Sequence, residues 1–129
     1  MPEHVHLLIH PARHHYSISK ILSTLKQPVS KRAVLKARRG DLVLAAQMAG
    51  SDDGSLRFWM QGGGYDRNVR TRSAFWDHVE YIHNNPVRRG LCETPRDWPW
   101  SSARDYHGTG DGPITLDIES IIESIPWKL

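Results

Sequence analysis

The chain has little cysteine and no long apolar runs, and each shortage excludes a class of protein. Its single cysteine, Cys92, excludes an internal disulfide and a zinc site built from several cysteines. No apolar run approaches the roughly 20 residues that a membrane-spanning helix needs, and the first residues lack the charged-then-apolar order of a signal peptide. We therefore expect a soluble, cytoplasmic protein in which Cys92 is structural or incidental.

What the chain does have is positive charge. Its 129 residues include 17 Lys and Arg, 14 Asp and Glu and 8 His, which gives a formal net charge of +3. This balance suits a polyanionic partner such as nucleic acid, although many ordinary basic proteins share it. With 39% hydrophobic residues, the chain is long enough for one small domain with a single core. Ser17 is expected to cap a helix that follows it, and Gly90 to supply a left-handed cap in a later turn.

Histidines alternate with apolar residues near the start of the chain. The run from His4 to His10 is rich in apolar residues, is followed by Pro11, and predicts a buried strand. Because side chains alternate along a strand, His4 and His6 would lie about 6.5–7 Å apart on one face, while the apolar residues between them face a core. Two imidazoles at that spacing can share a cation. A pair of ordinary surface histidines fits the same pattern.

A predicted helix over Ser73–Pro86 carries a tyrosine and an amide on one face. Its core-facing stripe consists of Phe75, Val79 and Ile82, with Trp76 at the border. Tyr81 and Asn85 are spaced i and i+4, so they share a different face, one turn apart. Pro86 disfavours helical geometry at the residue before it, which places Asn85 in or near the last turn. A half-exposed tyrosine in an ordinary helix is the alternative.

Several basic and aromatic residues suit contact with a nucleic-acid backbone. A triple glycine at Gly62–Gly64 follows a short aromatic strand and allows close approach of a ligand, and the aromatic and guanidinium groups after it suit base stacking and phosphate binding. A glycine hairpin packed with aromatics, or a solvated charged face, is the alternative. The candidates for DNA contact are Lys20, Lys26, Tyr65, Arg67, Arg70, Arg88 and Arg89.

Together, the histidine pair and the tyrosine helix contain the groups that metal-assisted nucleophilic catalysis needs. The imidazoles of His4 and His6 and the amide oxygen of Asn85 can hold a divalent cation and leave positions free for phosphate oxygens. Tyr81 would be the nucleophile. A phenol is a weak nucleophile at neutral pH, so it needs the field of a metal ion or a nearby base.

In four blocks the sequence resembles the REP-associated tyrosine transposases, which are single-tyrosine His-hydrophobic-His transposases. The blocks lie, in order, at residues 2–9, 58–68, 81–91 and 97–103. The resemblance implies that His4 and His6 are metal ligands with Asn85 as the third, and that Tyr81 forms a 5′-phosphotyrosine link to single-stranded DNA. It also implies Mg²⁺ or Mn²⁺ as cofactor, hairpin-forming DNA as substrate, and no ATP.

The resemblance also implies an α+β fold, a ferredoxin-like antiparallel sheet with helices on one face. In that family a strand, a helix and another strand come before the histidine strand, so we expect this chain to be N-terminally truncated. The truncated transposase domain would span residues 1–106, and residues 107–129 would form a C-terminal tail that packs on it. The protein would be a monomer or a homodimer.

Two other functions fit the same residues. A chain that lacks the first part of its sheet can be a non-catalytic binder of structured single-stranded DNA. A metal-dependent hydrolase built on His4, His6 and another histidine such as His10 would use water as the nucleophile. The three functions differ in what the loss of Tyr81 does, because only the transposase loses its covalent intermediate.

Overall fold

The computed structural model describes residues 3–50, 54–62 and 64–108, together with Pro113, Leu116 and Glu119. The regular elements within these residues are α1 (Ile18–Arg38), α2 (Leu42–Met48), α3 (Arg72–Arg88), a 3₁₀ turn (Pro95–Asp97) and α4 (Ala103–Tyr106). The chain forms two compact units. One, the discontinuous unit, combines Met1–His10 with Arg67–Leu129, and the other, the inserted unit, is Pro11–Asp66.

The predicted ferredoxin-like antiparallel sheet is wrong, because the described residues contain no strand. Residues 4–10 adopt no regular secondary structure, and no backbone hydrogen bond between described residues involves them. A strand needs a neighbour to satisfy its backbone groups, and alternation of side chains alone does not supply one. The apolar residues predicted to face a core are exposed, Val5 by 58%, Leu7 by 54% and Ile9 by 42%.

The predicted aromatic strand before the triple glycine is also wrong. Its first residue, Leu56, forms an isolated antiparallel bridge with Ala49, and the Arg57 N–H donates to the Met48 carbonyl oxygen at 3.0 Å. From Phe58 to Gly62 the described residues form no strand. Gly62 and Gly64 have φ values of 106° and 77°, so the turn does use backbone angles that favour glycine. Gly63 lies outside the described residues.

The inserted unit is built on α1 and α2. Ser17 caps α1 as predicted, and its hydroxyl accepts a hydrogen bond from the Lys20 backbone N–H at 3.3 Å. The helix continues through Pro28 to Arg38 as one element. Alanines on one side of α1 let α2 pack closely, and the small core of this unit contains Ala33, Ala37 and Met48, with Val34, Leu44, Ala45 and Leu56 packed against it.

The discontinuous unit is organised around α3. Thr71 caps this helix through its hydroxyl, which accepts from the Ala74 N–H at 3.2 Å. Phe75 and Val79 are buried, as the apolar stripe predicts, and Pro86 lies inside the helix, which ends two residues later. Gly90 closes the following turn with a φ of 66°, the left-handed conformation expected of it.

The second layer of the discontinuous unit is the segment that contains the 3₁₀ turn and α4. His83 of α3 is buried, and its Nε2 lies 2.9 Å from the hydroxyl oxygen of Ser102. The ring of Tyr106 on α4 packs edge-on against the rings of His83 and Trp76, with centroids 5.0 Å and 5.9 Å away. These contacts cover the side of α3 that carries His83.

The predicted tail of residues 107–129 lies largely outside the described residues, so its packing and the boundary at residue 106 stay predictions. Among the described helices, none is both long enough and apolar enough to cross a membrane.

Candidate functional site

Three side chains of the discontinuous unit converge on one point. His4 Nε2 lies 3.0 Å from His6 Nε2, and the amide nitrogen Nδ2 of Asn85 lies 3.1 Å from the same atom of His6. The two histidines come from the segment before α1, and Asn85 comes from the last turn of α3. Both histidines are half-buried and Asn85 is buried. The pair predicted from a strand is therefore brought together without a strand.

Hydrogen bonding alone accounts poorly for this cluster. A ring nitrogen of histidine has either one hydrogen or one lone pair in the plane of the ring. His6 Nε2 nevertheless faces two partners, the His4 ring nitrogen and the Asn85 amide, at nearly equal distances. As hydrogen bonds, the two contacts would have to share a single hydrogen or a single lone pair. If the three side chains instead surround a cation, each uses its own lone pair to bind the cation, and the two contacts do not compete.

The distances fit a divalent cation. Two ligands at right angles, each about 2.1 Å from an octahedral cation, are about 3.0 Å apart. The separations of 3.0 and 3.1 Å match that edge. The amide oxygen of Asn85 would take the place of its nitrogen after a half-turn about the Cβ–Cγ bond. Two imidazole nitrogens and one amide oxygen then form a donor set that divalent cations accept.

Tyr81 lies beside this cluster. Its ring centroid is 5.6 Å from that of His6, and the two planes are nearly perpendicular at 81°. The residue is 46% exposed, so part of its surface is open to solvent. The guanidinium carbon of Arg88 lies 5.5 Å from the centre of the Tyr81 ring. The tyrosine thus has the candidate metal ligands on one side and a positive charge on another.

Electrostatics keep His6 available as a ligand. Burial first, and the neighbouring His4 second, hold the pKa of His6 below its usual value of 6.5. A metal binds neutral imidazole, so a lowered pKa preserves the binding form of His6 to a lower pH.

Comparison with known proteins points to one class of enzyme. No family model matches the chain, and no solved structure matches it. The chain is similar to one curated transposase. That protein, from Haemophilus influenzae, is named as a candidate REP-associated tyrosine transposase, and the two are 26% identical over 128 residues, which cover 92% of this chain and 69% of the relative. The similarity supports the resemblance inferred from the four sequence blocks.

The residues predicted to contact DNA fall in both units. Lys20, Lys26 and Tyr65 belong to the inserted unit, where Tyr65 is 89% exposed and the Lys26 ammonium lies 5.7 Å from the centre of the Trp59 ring. Arg67, Arg70, Arg88 and Arg89 belong to the discontinuous unit, which also contains the cluster of His4, His6 and Asn85, and all four are exposed.

The hydrolase alternative loses its third ligand in the described structure. His10 is exposed, and no group of three or more His, Cys, Asp or Glu side chains among the described residues is placed to hold a metal ion. The cluster of His4, His6 and Asn85 is of a different kind, because its third member is an amide.

Sequence reasoning missed Glu3. Its Oε1 accepts a hydrogen bond from Arg89 Nη2 at 2.7 Å, and its Oε2 lies 4.0 Å from Nδ1 of His4. A carboxylate immediately before a His-x-His motif was the available signal. Its partner, 86 positions away, cannot be found from local sequence.

Proposed function

We propose that the chain is a metal-dependent DNA strand transferase of the transposase type, with Tyr81 as its nucleophile. The observation that carries the proposal is the convergence of His4, His6 and Asn85 on one point next to Tyr81, within a single compact unit. The similarity to a curated transposase supports the same class of reaction. The substrate would be single-stranded, hairpin-forming DNA.

In the proposed step, the Tyr81 hydroxyl oxygen attacks the phosphorus of a phosphodiester and its proton passes to solvent. A bond forms between the phenolic oxygen and phosphorus, and the bond to the 3′ oxygen of the preceding nucleotide breaks. That oxygen takes up a proton and leaves as a free 3′ hydroxyl. The 5′-phosphotyrosine ester replaces one ester by another, so a 3′ hydroxyl can reverse the step without ATP.

Other residues would bind the metal ion, the scissile phosphate and the rest of the DNA. His4, His6 and Asn85 would hold Mg²⁺ or Mn²⁺, which polarises the scissile phosphate and offsets the charge that develops on it. Arg88, next to the Tyr81 ring, is placed to bind a phosphate oxygen as the substrate approaches. The exposed basic residues of both units, with Tyr65, would hold the rest of the DNA strand through phosphate contacts and base stacking.

A covalent adduct is the direct test of this function. The full chain is mixed with a labelled hairpin oligonucleotide and Mn²⁺ and run on a denaturing gel. We expect a shifted, protease-sensitive band for the unaltered protein and none for Tyr81→Phe. Tyr16→Phe is a matched control, because Tyr16 is similarly exposed, at 53%, and belongs to the inserted unit.

The other outcomes separate the alternatives. An adduct that survives Tyr81→Phe contradicts the assignment of the nucleophile. Cleavage that continues without an adduct in Tyr81→Phe supports a hydrolase that uses water. Salt-sensitive binding of the hairpin that is indifferent to Mn²⁺ and to Tyr81→Phe, with no cleavage, supports a non-catalytic binder.

A further inference from the structure

The segment that carries the two histidines is attached to the rest of its unit by side chains. None of the backbone hydrogen bonds between described residues involves residues 3–10. The polar and ring contacts that join the described part of this segment to α3 and its cap are those of His6 with Asn85, His6 with Tyr81, and Glu3 with Arg89. The last contact is the only one of the three that does not use a proposed metal ligand.

Glu3 uses both of its carboxylate oxygens. Oε1 accepts the hydrogen bond from Arg89 at 2.7 Å, while Oε2 faces Nδ1 of His4 at 4.0 Å. The other ring nitrogen of His4, Nε2, is the one that points to His6. At 4.0 Å this second contact is too long for a hydrogen bond, so the pair with Arg89 is the firm one. Because Glu3 directly precedes His4, that pair ties the chain beside a candidate ligand to the end of α3.

The two adjacent arginines at the end of α3 have different partners. Arg88 follows Tyr81 by seven residues, two turns of helix, so the two side chains lie on one face. Arg89 follows Asn85 by four residues, and as the helix cap it projects about 100° away from Arg88. Arg88 contacts Tyr81 and has no carboxylate partner among the described residues, whereas Arg89 pairs with Glu3.

We infer that Glu3 and Arg89 are positioning residues that hold the histidine segment against α3, so that His4 and His6 meet Asn85, and that Arg88 alone of the two arginines binds the substrate phosphate. The inference rests on the proposed function. It departs from the sequence-based view, in which Arg88 and Arg89 are equivalent contacts to DNA.

The first test measures Mn²⁺ affinity of the full chain by titration calorimetry, without DNA. Glu3→Gln and Arg89→Gln should each raise the dissociation constant about two- to fivefold, since an exposed ion pair contributes modestly. The reversed pair Glu3→Arg with Arg89→Glu should recover part of the loss through the restored ion pair. Arg88→Gln is the matched control and should leave Mn²⁺ affinity unchanged.

A second measurement does not depend on metal binding. In the metal-free protein, the imidazole NMR signals of His4 and His6 should shift or broaden in Arg89→Gln and stay unchanged in Arg88→Gln. With a hairpin oligonucleotide, Arg88→Gln should reduce the slope of log affinity against log salt by about one, and Arg89→Gln should reduce it by clearly less.

The results distinguish failure of this inference from failure of the proposed function. Unchanged histidine signals and unchanged Mn²⁺ affinity in Arg89→Gln would overturn the positioning role, whatever the activity. Equal salt slopes for the two arginine variants would overturn the division between them. If the histidine signals respond as expected but no adduct forms with DNA, the positioning role stands and the strand-transfer function fails.

Discussion

Asn84 and Asn85 are neighbours on α3 with different surroundings. The Asn84 amide nitrogen donates to the carbonyl oxygen of Glu80 within the same helix, at 3.0 Å. Asn85 is buried at 8% exposure and reaches His6, 79 positions earlier in the chain. A buried amide needs a hydrogen-bond partner, and the partner of Asn85 is His6, a candidate metal ligand. Substitution of Asn85 therefore tests the candidate metal site, and substitution of Asn84 is the matched control.

Asn85→Ala should raise the Mn²⁺ dissociation constant at least about tenfold, because the loss of a residue that only orients a metal ligand already weakens metal binding by about that factor. Asn85→Asp should keep binding, since a carboxylate oxygen is a good ligand for Mg²⁺ and Mn²⁺. Asn84→Ala should stay within about twofold of the unaltered protein. Calorimetry measures all three, with circular dichroism to check that each variant is folded. Equal losses in the two alanine variants would remove Asn85 from the site.

At the scale of elements, the sequence was informative where structure depends on nearby residues. The cap at Ser17, the buried stripe of α3 and the left-handed Gly90 are local effects, and all three are confirmed. The strand at residues 4–10 was wrong because a strand depends on a partner that its own alternation does not reveal. Pro86 did not end α3, because a proline in the last turn removes only one hydrogen bond of the helix.

The same limit applies to the candidate site. The i, i+4 spacing of Tyr81 and Asn85 follows from helix geometry, and the alternation of histidines with apolar residues singled out His4 and His6. That His6 touches Asn85 without a sheet, and that Glu3 pairs with Arg89, are long-range facts of packing. No local pattern encodes them.

The start of α3 gives a prediction about stability. Thr71→Ala removes the hydroxyl that accepts from the Ala74 N–H, and should lower the free energy of unfolding by about 1 kcal/mol. The Ser73 hydroxyl, two residues further on, lies 3.2 Å from the Thr71 hydroxyl but bonds to no backbone N–H among the described residues. Ser73→Ala should therefore change the free energy of unfolding by less than about 0.5 kcal/mol. Urea denaturation measures both. A Thr71→Ala variant as stable as Ser73→Ala would contradict the cap.

At the scale of the whole molecule, the buried His83 links stability to pH. Burial first, and His107 second, lower the pKa of His83 below its usual 6.5. As pH falls through 6.5, the unfolded chain takes up a proton at this position before the folded chain does. The free energy of unfolding therefore falls with falling pH and levels off only below the folded-state pKa.

The melting temperature should accordingly be steady above neutral pH and decrease as pH falls below about 6.5. In His83→Gln, which can still bond to Ser102 but does not titrate, the decrease should be smaller. The lowered pKa of His6 contributes in the same direction, so His6→Gln with His83→Gln should flatten the curve further. His15→Gln, at an exposed position, is the control. A melting temperature that rises on acidification would contradict the burial effect.

The interruption of the discontinuous unit by Pro11–Asp66 has a consequence for folding. When His6 and Asn85 meet, they close a loop whose ends are 79 positions apart, and the entropy lost in closing a loop grows with the logarithm of its length. A cation bound by both residues would act as a crosslink that closes this loop. Its removal would leave the Glu3–Arg89 pair to hold residues 3–10 against α3, so metal occupancy and the order of this segment would rise and fall together.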